Sequence, residues 1–389
     1  NDAGQSHENL LVILNDNQMS ISRNVGGLSR HLENLRISPR YIKLKSGVDA
    51  VLLKTPVIGR PIYKLLQWFK LFARQSVQQQ SIFFEQLGFR YYGPVDGHDL
   101  ASLRQHLRTI RQFEGPILLH VLTQKGKGYS FAEESPDVYH GVAPFVVENG
   151  VANGTKGRCT FSAEFGRTLT GLAAFNPAIC AISAAMTSGT GLNDFVRQFP
   201  ARLFDVGIAE QHAVTLAAGL AAGGMRPVVA LYSTFLQRAY DQLLHDICLQ
   251  KLPVVLAIDR AGMVGEDGET HQGIFDLGLL LPLPNLEVIC PVDCRNLSLA
   301  LAHAFEADHP VAIRYPRGSE WPEPLPPDQS LGTSLLRGGN DLAIVALGVM
   351  TGPALKAAEL LAETGVETSV LSVVRAKPEI GRASCRERV

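Results

Sequence analysis

The feature that most constrains the fold is a series of short apolar runs separated by stretches long enough for helices. The runs are rich in Val, Ile, Leu and Ala and carry few polar residues. They are LLVIL (10–14), PILLHVLT (116–123), PVVALY (227–232), PVVLAI (253–258), LEVIC (286–290), PVAIRY (310–315), LAIVAL (342–347) and TSVLSVV (368–374). Apolar strands that alternate with helices are typical of parallel sheets covered by helices on both faces. We therefore predict a multi-domain α/β fold.

Two segments interrupt this pattern and mark domain boundaries. One is Gly- and Asn-rich (148–157), and the other is Pro-rich (316–329); neither composition continues regular pairing. We predict three pieces, 1–150, 155–318 and 335–378. The first residue is Asn1, close to the first strand, and residues 379–389 lack the apolar pattern. We expect a segment of a longer protein that ends in a non-native tail.

Composition excludes several classes of function. The 389 residues include 36 Lys and Arg against 37 Asp and Glu, a formal net charge of -1, which gives no field for nucleic acid or an anionic membrane. No uncharged apolar run reaches the roughly 18 residues of a membrane span. The six cysteines include no C-x-x-C pair, as expected for reduced thiols in the cytoplasm.

The segment from 23 to 80 differs from the rest because it is basic. It has eleven Lys and Arg against Glu33 and Asp49. Its stretch PIYKLLQWFKLFARQ (61–75) places apolar residues at helical spacing with cations between them, a pattern compatible with a membrane-surface or partner-binding helix. We favour a basic helix packed on its own domain.

The first candidate site is LNDNQMSIS (14–22), which follows the first predicted strand. Ligands bind at the carboxyl ends of parallel strands, and Asn side-chain and backbone carbonyl oxygens suit Mg²⁺. By itself, the motif is equally typical of an Asx turn that caps a helix.

The second candidate is Glu210, at the start of a helix of small residues (204–224). A Glu there commonly stabilises the helix through its dipole. This helix is otherwise nearly free of charge and is expected to be buried. Burial disfavours the charged form of an unpaired carboxyl and suits it to proton exchange.

The third candidate combines polar residues that follow two successive predicted strands. Adjacent parallel strands would bring them to one edge of the sheet. Arg can bind phosphate through two hydrogen bonds, and His and Asp can move protons. The residues are Tyr232, Phe235, Arg238, Arg260, Asp267 and His271.

Seven motifs follow one another along the chain. They are NDNQMSIS (15–22), GPVDGHD (93–99), KGKGY (125–129), AEQHAV (209–214), YSTFLQRAYDQ (232–242), DRAGMVGEDGETHQG (259–273) and RYPRG (314–318). Their order resembles that of the 1-deoxy-D-xylulose-5-phosphate synthase family of transketolase-like thiamine diphosphate enzymes. The resemblance extends from Asn1 to about Pro378.

The resemblance implies the transketolase-like fold and the family's reaction. Members decarboxylate pyruvate and join it to D-glyceraldehyde 3-phosphate, giving CO₂ and 1-deoxy-D-xylulose 5-phosphate for isoprenoid, thiamine and pyridoxal synthesis. The three pieces would be the C-terminal part of the diphosphate-binding domain, the pyrimidine-binding domain and the start of the C-terminal domain. Family members are homodimers.

For the cofactor, the resemblance implies Mg²⁺ on the Asn17 side chain and the Met19 carbonyl, which together tether the diphosphate. Ile21 would hold the cofactor in its bent form, and Glu210 would bond the aminopyrimidine to favour formation of the ylid. The cofactor supplies the carbanion chemistry, and the protein supplies geometry. Phe235 would stack on the pyrimidine, and Tyr129 matches a tyrosine of the cofactor site.

For the substrates, the resemblance implies that two arginines hold the acceptor phosphate, with Tyr232 nearby. Asp267 and His271 match a polar pair on the substrate side that would act in catalysis, and His140 matches a further active-site histidine. Arg238 and Lys125 would add positive charge. The two arginines are Arg260 and Arg317.

One departure concerns the metal. The family has a Gly-Asp-Gly metal motif about thirty residues upstream of the asparagines, and the chain begins after it. Mg²⁺ needs near-octahedral oxygen ligation, so we expect the 389-residue chain to bind the cofactor weakly and to turn over little. The alternatives are a transketolase, a 2-oxoacid dehydrogenase component, or a non-catalytic fragment.

Overall fold

A computed structural model describes residues 2–17, 19, 83–136, 138–142, 144–151, 159–326 and 331–378. The chain divides into two compact units, Asn1–Asn153 and Gly154–Val389. Ile21, the basic segment 23–80 and the predicted tail 379–389 lie outside the described residues.

The first unit contains a parallel sheet of three strands in the order β1-β3-β2. The strands are β1 (Leu11–Asp16), β2 (Arg90–Asp96) and β3 (Ile117–Leu122), and the helices are α1 (Asp2–Gln5), α2 (Leu100–Ile110) and α3 (Ser130–Glu134). Asp99 caps α2, because its side chain accepts hydrogen bonds from the Ala101 and Ser102 amides and so satisfies donors that lack a partner within the helix. β3 is central and buried.

The second unit is built on a seven-stranded sheet in the order β13-β8-β9-β7-β6-β4-β5. Every neighbouring pair is parallel except β13 with β8. The strands are β4 (Ile179–Ser183), β5 (Leu203–Asp205), β6 (Arg226–Tyr232), β7 (Val255–Asp259), β8 (Glu287–Ile289), β9 (Val311–Arg314) and β13 (Arg375–Lys377).

Helices cover this sheet. They are α4 (Phe161–Phe175), α5 (Asn193–Gln198), α6 (Glu210–Ala222), α7 (Ser233–Leu236), α8 (Tyr240–Gln242), α9 (Asp276–Leu280) and α10 (Cys294–Glu306), with a π-helical turn at Leu243–Cys248. α4 and α10 pack on each other and share a core with one set of alternate strand residues. α6 packs on β4 and β6. Both strand faces are buried, which confirms the predicted fold class.

A small sheet follows within the same unit, in the order β10-β12-β11. Its elements are β10 (Thr333–Arg337), β11 (Leu342–Leu347), α11 (Thr351–Glu363) and β12 (Thr368–Val373). The chain then enters β13, which extends the large sheet. α11 lies against Trp321, since a Cβ added at Gly352 would come within 2.4 Å of the indole ring.

All eight predicted strands are present, and the described residues contain five further strands that were not predicted. β4 (ICAIS) includes Cys, Ala and Ser, and β5 (LFD) has only three residues, so neither gives the longer Val- and Ile-rich run that identifies a strand in sequence. No helix among the described residues combines the length and the apolar character needed to cross a membrane.

Candidate active site

The site forms where β6 and β7 end side by side. Tyr232 and Asp259, the last residues of these strands, are paired in register. Arg260 follows directly, and its guanidinium lies 4.0 Å from the centre of the Tyr232 ring. The parallel pairing therefore brings together two of the sequence motifs, as predicted for the carboxyl edge of a sheet.

Glu210 begins α6 and is 2% exposed. Arg238 Nη1 lies 2.7 Å from its Oε2, although no donor among the described residues reaches Oε2 in hydrogen-bond geometry. The buried position agrees with the sequence prediction. The expectation of an unpaired carboxyl is wrong, because Arg238 comes back from the turn after α7 and supplies a counter-charge.

Aromatic rings line the same edge of the sheet. Phe235 stacks on Tyr232, with ring centres 5.9 Å apart and an interplanar angle of 15°. His271 meets Phe235 edge-on at 5.4 Å. The sequence predicted these three rings in one site, and the structure brings them into contact.

The Arg260 guanidinium is held by groups from three elements. Its Nη1 donates to the Gly189 carbonyl at 2.5 Å and lies 2.9 Å from Asp259 Oδ2. Ser162 in α4 donates to the same Asp259 oxygen at 2.7 Å. The Arg260 backbone has a φ of +58°, a conformation that is costly for a residue with a Cβ. The contacts thus fix an arginine that would otherwise be mobile.

Sequence reasoning missed Asp259 and Ser162. Asp259 is fully buried, and burial raises its pKa to about 6, although the Arg260 charge opposes the shift. An acidic residue at the end of an apolar strand, directly before an arginine, was the available signal. The sequence around Ser162 gave no such signal, because Ser162 contacts Asp259 across 97 residues of sequence.

Asp267 and His271 lie on the loop between Gly262 and Gly273, which pair as an isolated bridge. Gln272 ties this loop together: its side chain accepts from the Val264 amide at 2.7 Å and donates to the Val264 carbonyl at 2.8 Å. The loop's base is tight, since a Cβ on Gly273 would lie 2.2 Å from the Arg260 carbonyl.

The loop directs Asp267 toward both predicted phosphate arginines. Asp267 Oδ1 accepts a hydrogen bond from Arg317 Nη1, and Oδ2 lies 3.9 Å from Arg260 Nε. His271 Nδ1 lies 2.9 Å from the Thr270 hydroxyl. Burial raises the pKa of Tyr232, so its hydroxyl stays protonated beside these charges.

The first unit holds the residues predicted for the metal. Asn17 Oδ1 accepts a hydrogen bond from the Met19 amide at 2.9 Å, an Asx turn directly after β1. The preceding residue, Asp16, lies 3.0 Å from His120 Nε2. The other ring nitrogen of His120, Nδ1, lies 2.7 Å from the Tyr91 hydroxyl. Within the described ranges, no three His, Cys, Asp or Glu side chains are grouped to hold a metal ion.

Tyr129 and His140 also belong to the first unit. Tyr129 donates to the Val147 carbonyl at 2.8 Å and packs with Tyr139 and Phe145. Burial and then the Lys125 charge lower the pKa of His140. The roles of both residues stay predictions.

Family models match the chain in three consecutive blocks. They are "1-deoxy-D-xylulose-5-phosphate synthase" over residues 1–123, "Transketolase, pyrimidine binding domain" over 158–320 and "Transketolase, C-terminal domain" over 332–379. The residues around Glu210 and Arg260 fall in the second block.

Curated relatives match nearly the whole chain. A 1-deoxy-D-xylulose-5-phosphate synthase of Desulforudis audaxviator is 50% identical over 99% of the chain, and one of Clostridium acetobutylicum is 46% identical over 97%. The chain spans 61% of the length of each relative.

Two solved structures are similar. One, described as "Split gene transketolase, inactive beta4 tetramer", is 35% identical, with a TM-score of 0.51, over 57% of this chain and 73% of that one. A Pichia stipitis transketolase in complex with sedoheptulose 7-phosphate is 16% identical, with a TM-score of 0.52, over 76% of this chain and 58% of that one; this likeness concerns the fold alone.

Proposed function

This chain belongs to the transketolase family and, by matches over nearly its whole length, to the 1-deoxy-D-xylulose-5-phosphate synthase family within it, and from that premise we propose its reaction. The protein decarboxylates pyruvate and joins the remaining two carbons to D-glyceraldehyde 3-phosphate, with thiamine diphosphate as cofactor. The products are CO₂ and 1-deoxy-D-xylulose 5-phosphate, a precursor for isoprenoids, thiamine and pyridoxal. Because the chain spans 61% of these relatives, the activity is a proposal for the protein that contains it.

The single observation that carries the proposal is the buried Glu210 carboxyl. Its Oε2 lies 2.7 Å from Arg238 Nη1 but receives no aligned hydrogen bond among the described residues, so this buried carboxyl keeps an acceptor position that a ligand can use. A heterocyclic ring nitrogen that shares a proton with the carboxyl would fill that position. The described residues of the second unit therefore fit the aminopyrimidine, and Phe235 offers an aromatic face to it.

When bound, thiamine diphosphate supplies the carbanion chemistry of both half-reactions. Glu210 holds or accepts a proton at the ring nitrogen, and Phe235 orients the ring. Arg238 supplies the counter-charge of the Glu210 carboxylate. Asp267 and His271 would act on the substrate side, where an imidazole can exchange a proton with the substrate.

Arg260 and Arg317 bind the phosphate of the aldehyde acceptor. Arg260 is suited to this task because its guanidinium is fixed before the substrate arrives, which lowers the entropic cost of positioning the aldehyde. Tyr232 supports Arg260, whose guanidinium lies over its ring. His140 is proposed to contact substrate, and Tyr129 to contact the cofactor.

Mg²⁺ is proposed at the Asn17 side chain and the Met19 carbonyl. These two donors fall short of the six oxygens that Mg²⁺ prefers, and Asn17 Oδ1 already accepts the Met19 amide. The described residues do not by themselves form this site, so no step is derived through the metal. Ile21 at the cofactor, the homodimer, the cytoplasmic location and the three-domain division also remain proposals.

Product analysis tests the reaction. The protein expressed from its intact gene is incubated with pyruvate, D-glyceraldehyde 3-phosphate, thiamine diphosphate and Mg²⁺. We expect 1-deoxy-D-xylulose 5-phosphate by mass spectrometry. A ketose formed by two-carbon transfer from another sugar phosphate would indicate a transketolase, transfer of an acyl group to a lipoyl carrier would indicate a 2-oxoacid dehydrogenase component, and no product would indicate a non-catalytic protein.

The Glu210→Gln variant tests the cofactor role. We expect kcat to fall roughly 100-fold or more, the usual size of lost acid–base catalysis. The control is Asp194→Asn, which removes an exposed carboxylate that pairs with Arg197 and should retain normal kcat. Near-normal turnover by Glu210→Gln would refute the role.

A further inference from the structure

Resting on the proposed acceptor site, we propose that Asp267 is a built-in competitor for the anion site between Arg260 and Arg317. The two residues are called here the arginine pair. Asp267 lowers the affinity of that site for an external anion, because the anion must first displace the Asp267 carboxylate. It therefore sets the affinity of the acceptor site, a role separate from any proton transfer.

The geometry places one carboxylate against both members of the arginine pair. Arg317 Nη1 donates to Asp267 Oδ1, while Asp267 Oδ2 lies 3.9 Å from Arg260 Nε. The side chains of Arg260, Asp267 and Arg317 are 12%, 22% and 33% exposed. The carboxylate is thus partly shielded and remains reachable from solvent.

Arg260 has one edge occupied, and its other edge faces Asp267. Its Nη1 is bound by the Gly189 carbonyl and lies against Asp259. Its Nε is buried and has no hydrogen-bond partner among the described residues, and Asp267 Oδ2 lies 3.9 Å from it. A ligand anion that takes this edge therefore competes with Asp267.

The chain segments that carry Arg260 and Asp267 differ in how they are held in place. Arg260 follows β7 and is held by Asp259 and Ser162. Asp267 ends one short 3₁₀ turn and precedes Gly268, which has a φ of +77°. Displacement therefore requires a change on the loop and leaves Arg260 in place.

The lower affinity follows from competition. Asp267 offers the arginine pair a carboxylate that is already at a high effective concentration. A phosphate dianion brings more charge and can bond both guanidinium groups at once, so it can replace the internal carboxylate. The cost of displacing Asp267 is the same for every anion that binds both arginines, so the competitor lowers each affinity by the same factor.

The test is isothermal titration of the protein with inorganic phosphate and, separately, with acetate. In Asp267→Asn we expect phosphate to bind on the order of tenfold more tightly, because one competing charge is removed. Acetate should gain no more than phosphate, because both anions displace the same carboxylate. Asp267→Glu keeps a carboxylate and should keep a phosphate affinity closer to that of the wild type.

Two further variants separate the inference from the proposed function. Glu269→Gln removes an exposed acid from the same loop and should leave both affinities unchanged. Arg317→Gln in the wild-type and Asp267→Asn backgrounds should abolish the phosphate binding that depends on this site. Circular dichroism checks that each variant is folded.

The outcomes are distinguishable. Arginine-dependent phosphate binding that is unchanged or weaker in Asp267→Asn overturns the competitor role and leaves the acceptor site standing. An equal gain in Glu269→Gln also overturns it, since net charge would then explain the effect. If no phosphate binding depends on Arg317 in either background, the phosphate site fails and the inference fails with it.

Discussion

Asp259 is a fully buried carboxylate that contacts Ser162 and Arg260. Ser162 donates to it, and the Arg260 amide donates to its other oxygen at 2.7 Å. Burial raises its pKa to about 6, while an aspartate in the unfolded chain titrates near 3.9. Asp259 therefore positions Arg260, and the stability that the folded protein loses by burying this carboxylate depends on pH.

We predict that the stability of the wild type relative to Asp259→Asn falls as pH rises from about 4 to about 6. In this window the folded protein holds a proton that the unfolded chain has released, so raising the pH favours unfolding. The difference should change by roughly 3 kcal/mol and level off above pH 6. Urea unfolding at pH 4, 5, 6 and 7 measures it.

The matched variant for this prediction is Ser162→Ala. The Ser162 hydroxyl lowers the pKa of Asp259, so its loss should move the window to higher pH. A relative stability that rises between pH 4 and pH 6 would show that Arg260 favours the carboxylate more than burial opposes it.

At the scale of elements, one carboxylate reinforces the pairing of β13 with β8 at the edge of the large sheet. Glu287, at the start of β8, is 4% exposed. Its Oε2 lies 3.0 Å from His303 Nε2 and 3.1 Å from His309 Nε2, and its Oε1 lies 2.7 Å from Arg375 Nε in β13. Burial raises the pKa of Glu287, but hydrogen bonds from both histidines outweigh this, so the net shift is downward.

We predict that Glu287→Gln lowers the free energy of unfolding at pH 7 by about 2 kcal/mol. Removing one partner of a buried ion pair costs more than this when the other is fully buried, and here the cations are about one-third exposed. Because the pKa of Glu287 is lowered in the folded state, the loss should shrink as pH falls through that pKa.

Urea unfolding at pH 7 and at acidic pH checks this prediction. Glu306→Gln is the control, since it removes an exposed acid at the end of the helix that carries His303. Equal stability of Glu287→Gln and Glu306→Gln would contradict a role of Glu287 in holding β13.

The elements also show how far sequence patterns reach. The strands rich in Val, Ile and Leu were predicted because both of their faces are buried. β5 was not, because its three residues, Leu203–Asp205, form a strand only by pairing with β4. Short strands of this kind depend on a neighbour far away in sequence.

At the scale of the whole molecule, the second unit has a core of its own. Its large buried cluster joins α4, α10 and the sheet. The small sheet belongs to the same unit, through β13 and through Trp321 against Gly352. These links couple the small sheet to the large one.

We predict that residues 154–378, expressed alone, unfold in a single transition in urea. Trp321 is the only tryptophan of this piece, so its fluorescence reports the contact with α11, while circular dichroism reports all helices. The two transitions should coincide, which is the mark of cooperative unfolding.

Gly352→Ala should separate the two transitions, because its Cβ would lie 2.4 Å from the indole ring. Gly278→Ala is the control, since a Cβ there meets no atom within 4 Å. If the wild-type fluorescence transition came at lower urea than the circular dichroism transition, the small sheet would be an independent body.

The sequence by itself determined the fold class and the candidate residues, because apolar periodicity and local motifs are properties of short stretches. It placed Phe235, Tyr232, Arg260, Asp267 and His271 in one site, since parallel strands present their ends at one edge, and it gave Glu210 as a separate candidate that the family resemblance assigns to the cofactor. Only the tertiary structure decided the counter-ions: Arg238 for Glu210, Asp259 for Arg260, and Asp267 for Arg260 and Arg317. Pairing between charges depends on distances across separate elements, and no local pattern encodes those distances.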